Sequence, residues 1–239
     1  METINLKKLA AERAVDEIKP GMVVGLGTGS TFQFALERIA EKLKSGELYN
    51  IVCIPSSDRT EKEAKRLGIP LVTLNEQVSG VEPRVSRFID VTIDGADEVD
   101  ENLNLIKGGG GALLKEKILV QATKKFMVIV DESKLSKYLG EKFYVPVEVI
   151  KLASNVEEVF LQSLGAKTSF RKNAGGEKFI TDEGNYIIDA NFGAIKNVEE
   201  LARKMEQRAG IVEHGIFIGM TEKVFCSFSN GEVKEIVGN

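Results

Sequence analysis

The residues that most often hold metal ions are scarce in this sequence. It contains a single histidine, His214, and only two cysteines, Cys53 and Cys226, among 239 residues. Because a zinc site uses three or four clustered ligands, the sequence excludes a multi-histidine site and argues against zinc. Both cysteines lie in apolar, strand-like runs, which is typical of buried thiols in a reducing compartment. We therefore expect a cytoplasmic protein without a metal site.

Long hydrophobic runs and a strong excess of charge are also lacking. No run of about 18 apolar residues occurs, so no transmembrane helix is expected. The first eight residues lack the apolar centre of a signal peptide. The net charge of −4 and the pI near 5.4 argue against a broad nucleic-acid surface. We expect neither a membrane nor a nucleic acid among the partners.

The residues that are present suit an ordinary globular protein, with 43% hydrophobic and 28% charged side chains. A chain of 239 residues can bury one large core or two small ones. Apolar runs predict strands and apolar residues at helical spacing predict helices, the strands at residues 22–26, 51–54, 70–74, 88–93 and 126–130 and the helices at residues 30–44, 60–67 and 112–124. This alternation predicts an α/β domain with a parallel sheet covered on both faces.

The pattern changes near residue 140. Strands are predicted at residues 145–150, 167–171, 178–181 and 186–189 and from Ile211, and helices at residues 155–164 and 198–207. This order resembles a split β-α-β unit, the ferredoxin-like arrangement, with one additional hairpin strand. We therefore predict a main domain of residues 1–140 and 212–239, interrupted by a smaller α+β domain of residues 141–211.

The most informative segment is Lys107 followed by four glycines, residues 108–111, and then by a predicted helix that contains Glu116. Four glycines disfavour regular structure and let a ligand approach the backbone. Amide groups at a helix N-terminus favour an anion or a developing oxyanion. Glu116, flanked by apolar Leu113 and Val120, is a candidate general base, because partial burial raises a carboxyl pKa. The alternatives are a flexible loop and an exposed helix glutamate.

A second glycine-rich loop, residues 25–31, follows the first predicted strand and precedes a helix. Its backbone amides and the hydroxyl groups of Ser30 and Thr31 are suited to hold a phosphate. The loop lacks the lysine of a Walker A sequence. It also differs from a dinucleotide-binding loop, because Ser30 replaces the third glycine and no acidic residue follows at about 20 residues. A tight strand-to-helix turn without a ligand is the alternative.

Two carboxylates, Asp94 and Asp97, follow the predicted strand at residues 88–93. Ligands of open α/β sheets bind beyond the carboxyl ends of the strands, so these acids are placed to contact sugar hydroxyls or to transfer protons. An Asp-Gly turn with capping carboxylates is the alternative. Lys134 follows another strand end and is a candidate phosphate ligand or a solvated loop lysine. Lys7 is a weaker candidate of the same kind.

Taken together, these segments resemble the type A family of ribose-5-phosphate isomerases. The matching segments occur in family order and span nearly the whole chain, at residues 27–31, 94–98, 107–110 with Glu116, 130–134, 146–149 and 212–217. The resemblance implies the interconversion of D-ribose 5-phosphate and D-ribulose 5-phosphate in the non-oxidative pentose phosphate pathway. It also implies a Rossmann-like main domain, a smaller domain that serves as lid and in oligomerisation, no metal or cofactor, and a homodimer or homotetramer.

The resemblance also implies roles for residues at the matching positions. Glu116 corresponds to the general base of the family. Asp94, Asp97 and Lys107 correspond to the groups that open the sugar ring and stabilise the intermediate. The residues expected around the substrate and its phosphate are Thr28, Gly29, Ser30, Thr31, Asp94, Gly95, Ala96, Asp97, Lys107, Gly108, Gly109, Gly110 and Lys134.

Two other functions fit parts of the sequence. Related α/β domains bind sugar phosphates as non-catalytic sensors in bacterial repressors, usually behind a DNA-binding helix-turn-helix. Here the first strand is predicted near Met22, so we expect no such segment. A nicotinamide-dependent dehydrogenase is disfavoured by the differences in the loop at residues 25–31. Lys107 and Glu116 together favour catalysis over sensing.

Overall fold

The computed structural model describes residues 5–78 and 87–238. These residues form two compact units. The first contains the described parts of Met1–Gly95, Lys115–Ser133 and Met220–Asn239, and the second contains Ala96–Leu114 and Lys134–Gly219. Residues 1–4, 79–86 and 239 of the first predicted domain lie outside the described residues.

The elements of the described chain are as follows. The strands are β1 (Val23–Leu26), β2 (Val52–Pro55), β3 (Ile89–Gly95), β4 (Glu98–Val99), β5 (Leu105–Ile106), β6 (Thr123–Asp131), β7 (Val145–Val149), β8 (Lys167–Phe170), β9 (Tyr186–Asn191), β10 (Ile211–His214), β11 (Ile216–Phe217), β12 (Lys223–Ser227) and β13 (Val233–Val237). The helices are α1 (Leu6–Val15), α2 (Phe32–Ser45), α3 (Asp58–Arg66), α4 (Leu74–Val78), α5 (Leu113–Gln121), α6 (Ser154–Ser163) and α7 (Val198–Glu206). None of these helices combines the length and the apolar character needed to span a lipid bilayer.

The first unit is built on a six-stranded sheet of order β13-β12-β6-β3-β1-β2. Every neighbouring pair is parallel except β12 and β13. β1 lies between β2 and β3, with Val24 opposite both Cys53 and Val91. Because these strands are parallel, their carboxyl ends lie along one edge of the sheet, where the predicted site loops begin. The predicted parallel-sheet α/β fold is therefore confirmed.

The helices of the first unit fix the loops at this edge. α2 buries Phe32 and Ile39, which lie two turns apart on one face, and it ends at Gly46 with a left-handed φ of 80°. α3 begins at its N-cap Ser57, whose hydroxyl accepts a hydrogen bond from the Thr60 amide. The loops after β1 and β2 are each held between a buried strand and a packed helix.

The second unit holds an antiparallel sheet of order β10-β7-β9-β8, with α6 between β7 and β8 and α7 between β9 and β10. β7 and β9, the first and third of these four strands along the chain, lie at the centre of the sheet, which is the ferredoxin-like topology. Its core includes Val147, Leu161, Ile188 and Met205. A smaller sheet, β11-β5-β4, belongs to the same unit. The predicted α+β character of this region is confirmed.

The predicted strand at residues 70–74 is wrong. Only Leu71 forms a bridge to β2. Thr73 then caps α4, because its hydroxyl accepts from the Glu76 amide at 3.2 Å and its amide donates to the Glu76 carboxylate at 2.8 Å. This capping box starts a helix where the apolar run predicts a strand.

The predicted additional hairpin strand at residues 178–181 is also wrong. Lys178 and Ile180 each form one isolated bridge and no ladder. Turns close on both sides of this segment, with positive φ angles of 82° at Gly176 and 83° at Gly184. Between two such turns the segment is too short to pair continuously.

Candidate active site

The glycine-rich loop between β1 and α2 is held against the end of β3. Gly27 has no room for a side chain, because a Cβ atom there would lie 2.2 Å from Asp94 Oδ1. Gly29 has a φ of 115°, which L side chains rarely adopt. Ser30 is exposed, and its Oγ accepts a hydrogen bond of 2.9 Å from Lys7 Nζ. The structure therefore brings Lys7, the weaker of the two lysine candidates, to the predicted phosphate loop.

Asp94 connects this loop to β3. The residue is 1% exposed, and its Oδ1 accepts hydrogen bonds from the amides of Thr28 at 2.9 Å and Gly95 at 2.7 Å. The Gly27 amide adds a hydrogen bond of 3.0 Å to the Ile93 carbonyl. A buried carboxylate requires such donors. Asp94 thus fixes the backbone of Thr28 while it places a negative charge beside the loop.

The hydroxyl group of Thr28 lies among three other hydroxyl groups near the end of β2. Its Oγ1 is 2.9 Å from Ser56 Oγ, 2.8 Å from Ser57 Oγ and 3.1 Å from Thr60 Oγ1. Thr60 Oγ1 also donates to the Gly27 carbonyl at 2.8 Å. Ser56, Ser57 and Thr60 are all buried. This hydroxyl cluster (Thr28, Ser56, Ser57 and Thr60) ties the loop to the neighbouring strand and helix.

Glu116 lies in the first turn of α5 and is only 4% exposed. The exposed helix glutamate, one of the alternatives drawn from the sequence, is therefore excluded. One turn later, Leu119 packs against Ile54 of β2 and Ile89 of β3. α5 is anchored on the sheet in this way, and its first turn holds a largely buried carboxylate.

In the second unit, Asp97 contacts the glycine-rich segment that precedes α5. Its Oδ2 accepts a hydrogen bond of 2.7 Å from the Gly109 amide. A Cβ atom at Gly109 would lie 2.6 Å from Asp97 Oδ1, so this close approach requires glycine. Both residues are half-buried. The structure thereby brings two of the predicted site segments together.

Residues 108–111 form a hydrogen-bonded turn, which we call the glycine turn. The Gly111 amide donates to the Gly108 carbonyl at 2.9 Å. Both residues have positive φ angles, 94° at Gly108 and 90° at Gly111. A Cβ atom would lie 2.7 Å from Leu113 Cβ at Gly108 and 2.6 Å from Phe179 Cε1 at Gly111. Both positions therefore require glycine for space as well as for conformation.

Lys107 precedes the glycine turn and is almost fully buried, with 2% of its surface exposed. Its amide donates to the Gly215 carbonyl at 2.8 Å, which extends the pairing of β5 with β11. Its Nζ lies 5.7 Å from the centre of the Phe217 ring, within the range of a cation–π interaction. A charge interacts more strongly in such surroundings than in water. The second unit therefore contains a buried lysine that directly precedes the glycine turn in the sequence.

Arg171, which follows β8, also contacts the glycine turn. Its Nη1 donates to the carbonyl oxygens of Gly108 at 2.8 Å and Gly109 at 3.0 Å. Its Nε and Nη2 donate to the two carboxylate oxygens of Asp189 on β9, at 3.1 Å and 2.5 Å. The small antiparallel sheet thus holds the turn through one arginine.

The remaining predicted residues have different surroundings. Thr31 is the N-cap residue of α2 without a side-chain capping hydrogen bond, and Ala96 is half-buried. Lys134 ends the 3-10 helix Glu132–Lys134 and is half-buried. Among the described residues, no hydrogen bond or ion pair joins Lys134 to another predicted site residue. Nor does this part of the chain contain three or more His, Cys, Asp or Glu side chains placed to hold a metal ion.

Comparison with known proteins identifies the family. The family model described as ribose 5-phosphate isomerase A (phosphoriboisomerase A) matches residues 52–231. The chain belongs to this family. A relative named ribose-5-phosphate isomerase A from Desulfatibacillum aliphaticivorans is 53% identical over 226 residues, which cover 95% of this chain and 94% of the relative. A relative from Arabidopsis thaliana, named probable ribose-5-phosphate isomerase 3, chloroplastic, is 48% identical over 95% of this chain and 81% of its own.

Solved structures of family members have the same fold. Ribose 5-phosphate isomerase from Plasmodium falciparum is 42% identical, with a TM-score of 0.90 and 98% of each chain covered. A D-ribose-5-phosphate isomerase in complex with phospho-erythronic acid is 39% identical, with a TM-score of 0.91, and the match covers 99% of this chain and 100% of that one. The likeness extends over both units of this chain.

Two sets of contact residues were missed by reasoning from the sequence. Ser56 and Ser57 follow β2 at the same edge as the first loop, and a run of hydroxyl residues at a strand end was the signal that could have found them. Arg171 and Asp189 gave no comparable signal. The sequence predicts Arg171 only as the polar end of a strand. Its contact with Gly108 joins residues 63 positions apart, which no local pattern indicates.

Proposed function

We propose that the protein is an aldose–ketose isomerase that interconverts D-ribose 5-phosphate and D-ribulose 5-phosphate. The observation that carries the proposal is the 53% identity, over 95% of the chain, to a relative named for this activity. The complex of another relative with phospho-erythronic acid supports a sugar-phosphate ligand. In this proposal the reaction serves the non-oxidative pentose phosphate pathway.

The substrate phosphate binds at the loop formed by Thr28, Gly29, Ser30 and Thr31. The support is the start of α2, whose first amides and helix dipole favour an anion. The hydrogen bond between Lys7 and Ser30 adds a cation to the same loop. Lys134 acts as a further phosphate ligand in this proposal, as a point charge on a flexible side chain.

Asp94 and Asp97 act on the sugar hydroxyl groups. To open the furanose ring, a carboxylate within hydrogen-bond reach accepts the proton of the anomeric hydroxyl. The C1=O1 bond forms as the C1–O4 bond breaks, and the protonated carboxyl returns its proton to O4, which becomes a hydroxyl group. Both carboxylates are already held by backbone amides, from Thr28 and from Gly109. Gly95 and Ala96 lie between the two acids in sequence, and in this proposal their backbone groups also contact the sugar.

Glu116 is the general base. It takes the proton from C2 of the open-chain aldose, and the electron pair forms the C1=C2 bond of an enediolate with negative charge on O1. Glu116 then returns the proton to C1 while the proton of the C2 hydroxyl passes to O1, which leaves the ketose. The near-complete burial of the side chain supports this role, because it limits exchange of the proton with water.

Lys107 and the amides of Gly108 and Gly110 stabilise the enediolate, while the Gly109 amide donates to Asp97 and fixes the turn. Donors fixed before the reaction lower the energy of an oxyanion that forms during it. The support is the buried ammonium group of Lys107 and the hydrogen-bonded geometry of the glycine turn. No step in this scheme uses a metal or a cofactor.

The smaller domain, residues 141–211, serves as a lid and in assembly, and the protein is a cytoplasmic homodimer or homotetramer in this proposal. Support for assembly comes from Leu152, Val156 and Val159, which are 94%, 60% and 65% exposed. The spacing of four and three residues places them on one face of α6 and the turn before it. An exposed apolar row of this kind is typical of a protein interface.

The test is conversion of ribose 5-phosphate to ribulose 5-phosphate by the purified protein, with EDTA present. Rapid turnover supports the isomerase and excludes an EDTA-removable metal. Calorimetry with ribose 5-phosphate, run in parallel, separates binding from catalysis. Binding without turnover would instead favour a non-catalytic sugar-phosphate sensor, and a shift of the melting temperature by NAD(H) would favour a dehydrogenase.

A further inference from the structure

Arg171 and Asp189 form a nearly buried ion pair that the proposed reaction does not use. Their side chains are 10% and 12% exposed, and the guanidinium group also lies 5.8 Å from the centre of the Tyr144 ring. Removing two charges from water is costly, and such a pair adds little to stability relative to apolar packing. A role beyond folding would account for its presence beside the glycine turn.

The contacts of Arg171 fix the orientation of two peptide groups. In a trans peptide the C=O and the following N–H point in opposite directions, and the described residues contain no cis peptide. The carbonyl of Gly108 bonds Arg171 at 2.8 Å, while the amide of Gly109, in the same peptide, bonds Asp97 at 2.7 Å. This peptide is therefore held from both sides.

The next peptide is held from one side. The carbonyl of Gly109 bonds Arg171 at 3.0 Å, so the amide of Gly110 points away from the guanidinium group. Gly110 is exposed, and its amide has no hydrogen-bond partner among the described residues. An amide that is oriented but unengaged is available to an oxygen of a bound molecule.

We propose that Arg171, anchored by Asp189, is a positioning residue that aims the Gly110 amide, and with it the glycine turn, at the oxyanion of the enediolate. This inference rests on the proposed isomerase function. Arg171 touches no substrate atom in this scheme, and four of its five N–H groups bond the two carbonyls and Asp189. It acts through the backbone that it holds.

The geometry requires arginine at this position. Two hydrogens on Nη1 reach two carbonyl oxygens, while Nε and Nη2 form the parallel pair with the carboxylate of Asp189. A lysine ammonium group has three donors at one point and cannot span the carboxylate and both carbonyls. Arg171→Lys therefore keeps the charge but releases the turn.

The test compares Arg171→Lys and Asp189→Asn with a matched control, Arg208→Lys. Arg208 forms a two-point ion pair with Glu157 in the same unit, at 2.9 Å and 3.2 Å, and contacts no predicted site residue. For each protein we would measure kcat and KM for ribose 5-phosphate, the melting temperature, and the Kd of phospho-erythronic acid, whose carboxylate supplies an anionic oxygen.

For Arg171→Lys we expect kcat to fall at least about 10-fold with KM within about threefold, since a displaced oxyanion donor costs rate more than ground-state binding. Asp189→Asn loosens the anchor and gives a smaller fall in kcat, and Arg208→Lys stays within about twofold of the parent. The Kd of phospho-erythronic acid rises in the same order as kcat falls.

Three outcomes would overturn the inference. One is a kcat for Arg171→Lys within about twofold of the parent; another is a change confined to KM; the third is an equal loss of kcat in Arg208→Lys. If Arg171→Lys does not fold, the kcat and KM of Asp189→Asn, compared with those of the parent and of Arg208→Lys, decide by the same three criteria. Absence of turnover in the unsubstituted protein would instead contradict the proposed function, so the two failures are distinguishable.

Discussion

The carboxylate of Asp94 accepts the amide hydrogen of Thr28 at 2.9 Å, and this contact joins the end of β3 to the loop after β1. Gly27 lies so close to the same carboxylate that no side chain fits between them. Asp94 therefore has a structural task and, in the proposed mechanism, a chemical one. Two substitutions separate these tasks.

Asp94→Asn keeps an oxygen acceptor for the Thr28 amide and removes the negative charge, whereas Asp94→Ala removes both. We expect Asp94→Asn to lose at least about 100-fold in kcat with a melting temperature near that of the parent. Asp94→Ala should in addition lose about 1–3 kcal/mol of unfolding free energy, because buried amides lose their acceptor. Kinetic assays and thermal unfolding measure both effects. Nearly full activity of Asp94→Asn would restrict Asp94 to its structural task.

Glu116→Gln keeps the size and most of the packing of the buried side chain but cannot accept a proton. We expect kcat to fall by about 10²–10⁴-fold or more, the usual contribution of a general base. Ribose 5-phosphate should still bind in calorimetry, since the phosphate contacts lie elsewhere. Turnover within a few-fold of the parent would remove Glu116 from the mechanism.

Thr60→Val removes the hydroxyl that links the Gly27 carbonyl to the hydroxyl cluster, with little change in volume. We expect a loss of about 1–3 kcal/mol in unfolding free energy and a severalfold rise in KM, because the phosphate loop is less well fixed. The matched control is Thr123→Val, which removes a buried hydroxyl bonded to Thr92 Oγ1 and the Leu119 carbonyl, each at 2.6 Å. If both variants change KM equally, the cluster has no special link to the loop.

We expect Glu148 to make the stability of the second unit depend on pH. It is 1% exposed, and burial raises its pKa above the ordinary value of 4.5, partly opposed by hydrogen bonds from Asn185 and Thr181. A raised pKa in the folded state means that this carboxyl stabilises the fold fully below about pH 4.5 and that the contribution is lost as pH rises through the folded-state value.

Glu148→Gln stays neutral at every pH, so its melting temperature should rise relative to the parent between pH 4 and pH 7.5. A difference of 1 kcal/mol corresponds to about 2–4 °C for a chain of this size. Glu177→Gln, which changes an exposed carboxylate in the same unit, controls for the loss of one charge. A constant difference between Glu148→Gln and the parent across this range would contradict the prediction.

Local patterns were enough to predict the two larger sheets and the glycine segments, but not the small sheet β11-β5-β4. Val24 and its neighbours form a short apolar run, which a buried parallel strand requires, and Gly29 stands where a positive φ permits little else. The same local reasoning placed a strand at residues 70–74, because a capping box such as that of Thr73 and Glu76 is easily hidden behind an apolar run. At residues 70–74 the hydrogen bonds between Thr73 and Glu76 outweigh the preference of the apolar residues for a strand.

The rest of the candidate site depends on contacts between residues far apart in the chain. Whether Glu116 is buried or exposed is decided by the packing of α5 on β2 and β3, and its own neighbours in sequence are compatible with either. Arg171 contacts Gly108 only because the small sheet folds as it does. No periodicity or motif encodes a side-chain-to-backbone contact of this kind.

The order of the strands in the main sheet has a consequence for synthesis. β6 pairs with β3 on one side and with β12 on the other, where Met127 lies opposite Lys223. A ribosome releases β6 long before β12, so one edge of this nine-residue strand exposes unpaired N–H and C=O groups while the larger part of the second unit, Lys134–Gly219, is being made. The nascent chain is thus most prone to aggregation just before its last segment emerges. A chain that stops short of residue 223 leaves this edge of β6 unpaired permanently.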